Sequence, residues 1–293
     1  MTTRKRLPRI SSSGARNSFA VKKVIFLGNG PLADYALAVI EQECQVIFHA
    51  RRKEDLEEVC RMKREYPEAH GVLASFGVLI KDEILELFEP EGILNIHPSL
   101  LPSYRGASPI ESAILAGDNI FSVSIMKLAK AMDAGPIYHQ ETLTGAEITE
   151  KANGELISGL IPPKSAIYKV LAETGAEWII KNLANLPKPV AQDNSKATFC
   201  RKLTKSMGIL RPETESAEEV LRKIIAFQGF PKAKYAFYGK NCAILAAHIP
   251  KADETAVLPL ECADGQILSI DSLQPDGKKP MDAKSFLNGY TKH

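Results

Sequence analysis

The strongest chemical signal in this chain is a short string that opens with an amide and an imidazole two positions apart, Asn95 and His97. A carboxylate, Asp133, follows 36 positions after the histidine in a segment that bears Gly and Pro. Acyl transfer needs three such groups: a donor for the developing oxyanion, a proton shuttle near neutral pH, and a carboxylate that orients or charges the shuttle. The set holds no serine or cysteine nucleophile, which favours direct attack by the substrate's own amine over a covalent acyl-enzyme.

The surrounding sequence places the first two groups at the end of a strand. Residues 92–97 form a short apolar run that turns polar at its end, and in open parallel α/β sheets ligands bind beyond the carboxyl ends of the strands. While the strand lasts, Asn95 and His97 project from one face, because side chains alternate with a period of two. The competing interpretation is that both are core residues whose polar atoms bond to nearby backbone.

The N-terminal part of the chain alternates between strand and helix patterns. Strands are predicted at residues 21–27, 45–50, 70–77 and 92–97, and helices at residues 31–43, 53–64 and 81–88. This alternation is typical of a parallel sheet covered by helices. Beyond it, the pattern predicts a helix at 110–116, paired strands at 122–128 and 136–140, and a helix at 165–183. Asp133 would then lie in the connection between the paired strands.

A second, smaller domain is predicted after a proline-bearing linker. Ser216 and Glu219 fit a capping box, and the helix they open has apolar residues at the spacing of a buried face. Short strand patterns at residues 243–247, 257–262 and 266–273 predict a small β-barrel. The expected organisation is a basic tail at residues 1–20, an α/β domain at 21–185, a linker at 186–198 and the barrel domain at 199–293.

Composition excludes several classes of protein. The apolar runs are much shorter than a membrane span. The five cysteines are odd in number and include no C-x-x-C pair, which argues against a disulfide framework and against a zinc site. We therefore expect a monomer in a reducing, cytoplasmic compartment, with no membrane partner and no metal.

Charge is distributed unevenly along the chain. The net charge is +2, but residues 1–23 hold seven basic and no acidic residues, and residues 196–293 hold 15 basic against 11 acidic ones. The segment between them is therefore acidic. Because a binder of polyanions generally needs a basic face, any nucleic acid would meet the tail and the C-terminal part. The tail also has the composition of a weak organelle import signal, although a solvated extension is the simpler interpretation.

The glycine loop at Gly28 and Gly30 allows a different function. With Ala33 it fits the dinucleotide pattern G-x-G-x-x-G/A, and Arg51-Arg52 after the next strand would suit the 2′-phosphate of NADP. A lone fingerprint is weak, because a strand that turns into a helix often needs a glycine turn without any ligand. A protein that binds NADP, or one that has the fold without the activity, is one alternative.

At Asn95, His97 and Asp133 the chain resembles the folate-dependent formyltransferases, which transfer a formyl group from 10-formyltetrahydrofolate to an amine. The resemblance implies that Asn95 stabilises the tetrahedral oxyanion and that His97 polarises the formyl group and shuttles protons. It implies that Asp133 sets the charge of the histidine and helps to deprotonate the amine. The fold it implies is α/β: a formyltransferase-type, Rossmann-like parallel sheet domain followed by a small OB-like β-barrel domain.

The resemblance also implies residues for the two substrates. On the donor side, the segment at residues 73–80 matches one whose main chain binds the folate. The candidate donor contacts are Phe76, Leu79, Ile80 and Ser99. On the acceptor side, Gly28 and Gly30 would line the cleft, and Arg105 would bind a phosphate or the 3′ end of a tRNA, since a guanidinium forks well onto phosphate oxygens.

The C-terminal region resembles the OB-like domain of the family members that act on methionyl initiator tRNA, the step that prepares translation initiation. The matching segments include residues 202–205, 273–281 and 286–289. The basic side chains expected to contact the tRNA backbone are Lys202, Lys205, Lys278 and Lys279. Such contacts position a nucleic acid without reading its sequence.

The chain departs from that family after the second strand. The long basic loop with which the methionyl enzymes reach the acceptor stem is missing, and only Arg51-Arg52-Lys53 stands there. A formyltransferase acting on a small amine, such as an amino sugar nucleotide or glycinamide ribonucleotide, is therefore the second hypothesis. The short loop and the acidic first domain favour it, whereas the tRNA-type second domain argues against it.

Overall fold

The computed structural model describes residues 21–290, so the predicted basic tail at residues 1–20 lies outside the described part of the chain. The first domain contains a six-stranded sheet in the order β2-β1-β3-β4-β5-β6. Its strands are β1 (Lys23–Gly28), β2 (Gln45–Ala50), β3 (His70–Ala74), β4 (Ile93–His97), β5 (Ile120–Lys127) and β6 (Ile137–Thr144). The first four strands pair in parallel, and β5 and β6 continue the sheet in antiparallel pairing.

Helices pack on both faces of this sheet, and β1 shows why. Val24 and Phe26 belong to one buried core, whereas Ile25 and Leu27 belong to the other. Successive side chains of a strand point to opposite faces, so a continuous apolar run needs cover on each side. The helices are α1 (Pro31–Glu43), α2 (Leu56–Glu65), α3 (Asp82–Leu85), α4 (Pro109–Ala116), α5 (Gly145–Lys151) and α6 (Lys164–Asn182).

The predicted elements of this domain are confirmed, with three differences. The segment 53–64 begins as a 3-10 turn before α2. The sheet is mixed rather than wholly parallel, because β5 and β6 form a hairpin that adds to β4. Helix α5 was missed, although Thr144 and Glu147 form a reciprocal capping box at its start, a pattern that is readable in the sequence.

The second domain is a curled antiparallel sheet flanked by two helices, as expected for an OB-like fold. Its elements are α7 (Ala217–Ala226), β7 (Ala233–Phe237), β8 (Lys240–His248), β9 (Pro259–Glu261), β10 (Ile267–Pro275), β11 (Met281–Asp282) and α8 (Ala283–Tyr290). The order is β11-β10-β8-β7, with β9 paired to β10. The predicted capping box of α7 is present, since Ser216 Oγ accepts from the Glu219 N–H and the Glu219 carboxylate accepts from the Ser216 N–H.

The two domains share one buried core. Ile110 and Ile114 of α4 belong to the same cluster as Val220 and Leu221 of α7. A buried charge also links the domains, because Lys164 Nζ of α6 donates to the Glu111 carboxylate at 3.1 Å and to two main-chain carbonyls at the end of α7, those of Ala226 and Gln228. The second domain is therefore attached to the first by packing as well as by the linker.

Candidate active site

The amide and the imidazole lie at the carboxyl end of β4, as predicted. Asn95 and His97 are each only 5% exposed. Strand β4 pairs with β3 on one side and with β5 on the other, where His97 faces Ser124. Both side chains are thus anchored on a central strand, which holds them more firmly than a free loop would.

Asp133 approaches His97 from the β5–β6 connection, also as predicted. Its Oδ1 lies 3.6 Å from His97 Nδ1, an ion-pair distance that is longer than a direct hydrogen bond. The other ring nitrogen, Nε2, lies 3.1 Å from the main-chain oxygen of Tyr104. Both ring nitrogens therefore face oxygen atoms, the carboxylate on one side and a main-chain carbonyl on the other.

The backbone around Asp133 fixes the carboxylate. The residue has φ +48°, a left-handed conformation that aspartate tolerates better than most residues. Its second oxygen, Oδ2, accepts a 2.8 Å hydrogen bond from the Gly106 N–H. Two residues on, a Cβ at Gly135 would lie 1.9 Å from the Lys127 carbonyl oxygen, so this turn requires glycine. Unusual backbone held this tightly is typical of functional sites.

The Asn95 side chain, by contrast, makes no hydrogen bond to any part of the chain that the structure describes. A nearly buried amide without a protein partner is uncommon, because buried polar groups are usually bonded. Beside His97 on the same face of β4, it can donate to an oxygen that enters the site from outside.

Cys200 is a thiol that shares a hydrogen-bond acceptor with His97, and its environment disfavours the reactive thiolate. Its Sγ donates to the Tyr104 carbonyl at 3.3 Å, the same carbonyl that faces His97. Burial raises the pKa of the Cys200 thiol, so the thiolate that a covalent mechanism needs is disfavoured. This agrees with direct attack by an amine.

The donor-side segment offers main chain rather than polar side chains. No main-chain group of residues 76–80 has a hydrogen-bond partner within residues 21–290, so these groups are open to water or a ligand. Phe76 and Ile80 are buried in the core, whereas Leu79 is 79% exposed. Ser99 is buried, and its hydroxyl donates to the Ser103 carbonyl at 2.7 Å, within its own loop. Contact of these four residues with a donor stays a prediction.

On the acceptor side, the backbone itself accounts for glycine at positions 28 and 30. A Cβ at Gly28 would lie 2.0 Å from the Ala74 carbonyl oxygen, so β1 and β3 could not pair as they do with any larger residue. Gly30 has φ +82° and precedes Pro31 at the start of α1. The two glycines are therefore explained without a dinucleotide, and their part in the acceptor cleft stays a prediction.

Arg105 lies in a different environment from the one a phosphate contact needs. It is only 5% exposed, and its guanidinium donates to Gln192 Oε1 at 2.6 Å and to Asn194 Oδ1 at 2.7 Å. In this arrangement its donors bind the interdomain linker. A phosphate would have to compete with both amide oxygens, so the acceptor role of Arg105 stays a prediction that this geometry does not favour.

The other predicted cations are exposed and spread over the surface. None of the four lysines expected to contact tRNA forms an ion pair within residues 21–290. They are Lys202, Lys205, Lys278 and Lys279. After β2, Arg52 pairs with Asp55 and Glu54, whereas Arg51 Nε donates to His49 Nδ1 at 3.3 Å. Arg51 thus keeps a guanidinium charge that no acid in the described part of the chain neutralises.

Comparison with known proteins identifies the chain. Residues 22–154 match the family described as formyl transferase, and residues 202–291 match the formyl transferase C-terminal domain. A protein of Carboxydothermus hydrogenoformans named methionyl-tRNA formyltransferase is 36% identical over 75% of this chain and 71% of its own length. The chain belongs to the methionyl-tRNA formyltransferase family. A relative of the same name from Treponema pallidum is also 36% identical, over 74% of this chain and 69% of its own.

Solved structures agree on the fold of this family. A HypX crystal structure from Aquifex aeolicus, in complex with tetrahydrofolic acid, superposes with a TM-score of 0.70 at 18% identity, over 92% of this chain and 47% of its own. A methionyl-tRNA formyltransferase from Clostridium thermocellum superposes with a TM-score of 0.59 at 16% identity, over 89% of this chain and 99% of its own.

The structure brings together the three residues of the predicted formyl-transfer centre and adds groups that sequence reasoning missed. The Tyr104 carbonyl and the Gly106 N–H leave no trace in a sequence motif, because they act through the main chain. Gln192 and Asn194 were assigned only to a polar linker. No cluster of three metal-ligating side chains occurs between residues 21 and 290, and no helix there has the length and apolarity of a membrane span.

Proposed function

We propose that this chain transfers the formyl group of 10-formyltetrahydrofolate to the α-amino group of methionyl initiator tRNA, in preparation for translation initiation. The observation that carries the proposal is the junction of buried Asn95 and His97 on β4 with Asp133, whose carboxylate lies 3.6 Å from the His97 ring. That junction lies in a chain whose relatives at 31–36% identity are named methionyl-tRNA formyltransferase. Formyl transfer is therefore the reaction that both the chemistry and the relatives support.

The proposed reaction begins when the neutral amine of the acceptor attacks the formyl carbon. A new carbon–nitrogen bond forms, and the formyl oxygen takes the electron pair and becomes an oxyanion. The Asn95 amide donates to this oxygen, and the positive charge of protonated His97 polarises the formyl group; preorganised groups of this kind stabilise a transition state more than a ground state. The carboxylate of Asp133 stabilises the positive charge of the histidine.

The second half of the reaction breaks the bond between the formyl carbon and N10 of the folate. Asp133 helps to remove the proton that the attacking amine must lose, and the departing nitrogen needs one proton to leave as a neutral amine. His97 lies between an acid and a carbonyl and can relay that proton. The products are the formylated amine and tetrahydrofolate, with no net gain or loss of protons.

The donor site fits a folate in two respects. Solved structures with this fold were determined with tetrahydrofolic acid and with 5-N-formyl-THF. The unpartnered main-chain groups of residues 76–80 offer donors and acceptors for a heterocycle, and exposed Leu79 offers an apolar surface beside them. Phe76, Ile80 and Ser99 would act by shaping this segment from behind.

The acceptor is proposed to lie across both domains. Lys202, Lys205, Lys278 and Lys279 would contact tRNA phosphates, and Arg51 would meet the acceptor end at the carboxyl edge of the sheet. A small amine is the alternative acceptor, since the long basic loop is absent. It is the weaker candidate, because the matched relatives are methionyl-tRNA enzymes and the second domain matches their family. We further propose a cytoplasmic monomer, a setting that suits the five free cysteines.

The decisive experiment measures formyl transfer from 10-formyltetrahydrofolate to methionyl initiator tRNA, with elongator methionyl-tRNA and uncharged initiator tRNA alongside. We expect formylation of the initiator and none of the uncharged tRNA, which lacks the amine. An amino sugar nucleotide and glycinamide ribonucleotide are assayed in parallel. Transfer to either small amine with none to methionyl-tRNA would overturn the proposed acceptor.

A further inference from the structure

The interdomain linker crosses the active site and bonds to both catalytic loops. On one side Val190 and Ile137 exchange two 2.8 Å main-chain hydrogen bonds next to the Asp133 turn. On the other side Thr198 and Cys200 pair with the main chain of Arg105, in the loop that follows His97, at 2.9 and 2.8 Å. The linker therefore does more than join two domains.

Between these two pairings lies Gln192, whose side-chain amide is fully used. Its Nε2 donates to the Asp133 carbonyl at 2.8 Å and to the Gly135 carbonyl at 2.7 Å. Its Oε1 accepts from Arg105 Nη2 at 2.6 Å and from Arg105 Nε at 3.2 Å. Two donors and one oxygen with two acceptor sites are all that a glutamine offers, and each is engaged. The amide thus ties the Asp133 turn to the loop after His97.

The hydrogen bonds made by the side chain of residue 192 require an amide, which both donates and accepts. A carboxylate there could still accept from Arg105, but it could not donate to the two carbonyls and would add a negative charge beside Asp133. An alanine would leave both carbonyls without this donor and would leave the buried Arg105 guanidinium with Asn194 Oδ1 as its remaining side-chain acceptor among the described residues. Since the adjacent Gly106 N–H bonds the Asp133 carboxylate at 2.8 Å, a shift of Arg105 would also reach that carboxylate through the backbone.

We propose that Gln192 is a positioning residue for formyl transfer: it holds Asp133 at its distance from His97 and makes the linker part of the active site. The proposal rests on the function proposed above. The position of Asp133 matters because a misplacement of about 1 Å in an active site can cost on the order of 100-fold in rate. All four polar contacts of the Gln192 side chain are to protein atoms, so its loss should act on kcat more than on KM.

Two variants separate the two halves of the contact. Gln192→Glu keeps an acceptor for Arg105 and loses both bonds to the Asp133 turn, whereas Gln192→Ala loses everything. We expect each to lower kcat by about 10- to 100-fold, the range seen when groups that orient active-site ligands are removed. KM for both substrates should change less than about threefold. Asp193→Asn is the matched control, since among residues 21–290 the Asp193 side chain bonds only to linker residues, Ser195 and Lys196.

A second readout does not depend on turnover. The imidazole resonances of His97 are followed by NMR as the pH is changed, in the wild-type chain and in both Gln192 variants. Displacement of Asp133 should shift this titration in the variants, whereas a role limited to folding would lower the melting temperature and leave the titration unchanged. Wild-type kcat in Gln192→Glu, or an unshifted titration in both variants, would overturn the proposal. Absence of formyl transfer by the wild-type chain would instead count against the proposed function.

Discussion

The catalytic centre and the acceptor-facing surface are built in opposite ways. Asn95 and His97 are nearly buried, and the side chains of His97 and Asp133 are held by hydrogen bonds to main-chain atoms, at 3.1 and 2.8 Å. The lysines expected to meet tRNA are exposed and unpaired within residues 21–290. Bond making depends on geometry fixed before the substrate arrives, whereas attraction of a polyanion depends on charge that salt can screen. Substitutions in the two regions should therefore differ in size and in salt dependence.

The largest effects are expected at the buried centre. His97→Ala removes the proton relay, and Asp133→Asn removes the negative charge that stabilises the imidazolium while keeping an oxygen for the Gly106 N–H. General acid–base groups typically contribute about 10²–10⁴-fold to the rate, so kcat for formylation should fall by that range in each variant. Circular dichroism and the melting temperature should stay near wild type. Near-normal turnover in either variant would refute the assigned roles.

The buried ion pair of Lys164 and Glu111 extends the comparison to protein stability. Lys164→Met leaves the Glu111 carboxylate, 7% exposed, with only the Tyr168 hydroxyl at 2.8 Å. Breaking a buried pair from one side typically costs about 3–5 kcal/mol, so the free energy of unfolding should fall by that order in urea denaturation.

The double variant Lys164→Met with Glu111→Gln tests the cause of that loss. It removes the uncompensated charge and should recover part of the lost stability. A single Lys164→Met variant as stable as wild type would show that this interdomain charge is not buried in solution.

Much of the fold could be predicted from the sequence because its signals are local. The bounds of α1 and β2 agree residue for residue with the predicted 31–43 and 45–50, since a proline at the first helical turn and a change of period mark them. The Ser216 capping box is equally local. The antiparallel pairing of β4 with β5 is not a local signal, because neither strand's sequence indicates the direction in which its neighbour runs.

The three residues proposed for catalysis could be picked out for the same reason, whereas the residues that support them could not. Asn95 and His97 stand two apart on one strand, and Asp133 falls between two strand patterns. Arg105, by contrast, bonds to Gln192 and Asn194, which are 87 and 89 positions away. A lone arginine in a glycine-bearing loop looks like a solvated phosphate ligand until those distant partners are known. The domain boundaries themselves stay a prediction.

The exposed cations should give smaller effects that depend on salt. Arg51→Gln removes a charge with no acidic partner, whereas Arg52→Gln removes one already neutralised by Asp55 and Glu54. We expect Arg51→Gln to raise KM for the tRNA severalfold at low salt with little change in kcat. The negative slope of log affinity against log salt should become shallower by about 0.9, the value for one lost phosphate contact. Equal effects of the two substitutions would show that pairing does not decide which arginine binds tRNA.

Deletion of residues 1–20 tests the same electrostatic argument on a part of the chain that lies outside the described residues. The tail carries arginines and no acid, so its loss should weaken tRNA binding mainly at low salt, where screening is weak. Binding is measured at 30 and at 200 mM salt, roughly 18 and 7 Å in screening length. Affinity unchanged at the lower salt would make the tail a passive extension.

The smallest effect is expected at the surface of the second domain, where His248 lies between two carboxylates. Desolvation opposes its charge, but hydrogen bonds of 2.8 Å to Asp271 and to Glu254 outweigh this and raise the pKa of His248. A raised folded-state pKa adds stability that is fully present below the unfolded pKa of about 6.5 and is lost as the pH rises through the folded value.

His248→Asn should therefore lower the melting temperature more at pH 6 than at pH 8.5. Because the pair is partly exposed, the difference should not exceed about 1–2 °C, in keeping with the small contribution of surface ion pairs. A melting-temperature difference that is the same at both pH values would mean that the ring contributes through its packing alone. Formylation should not change at either pH, because this cluster belongs to the exposed surface and acts on stability without reaching the catalytic centre.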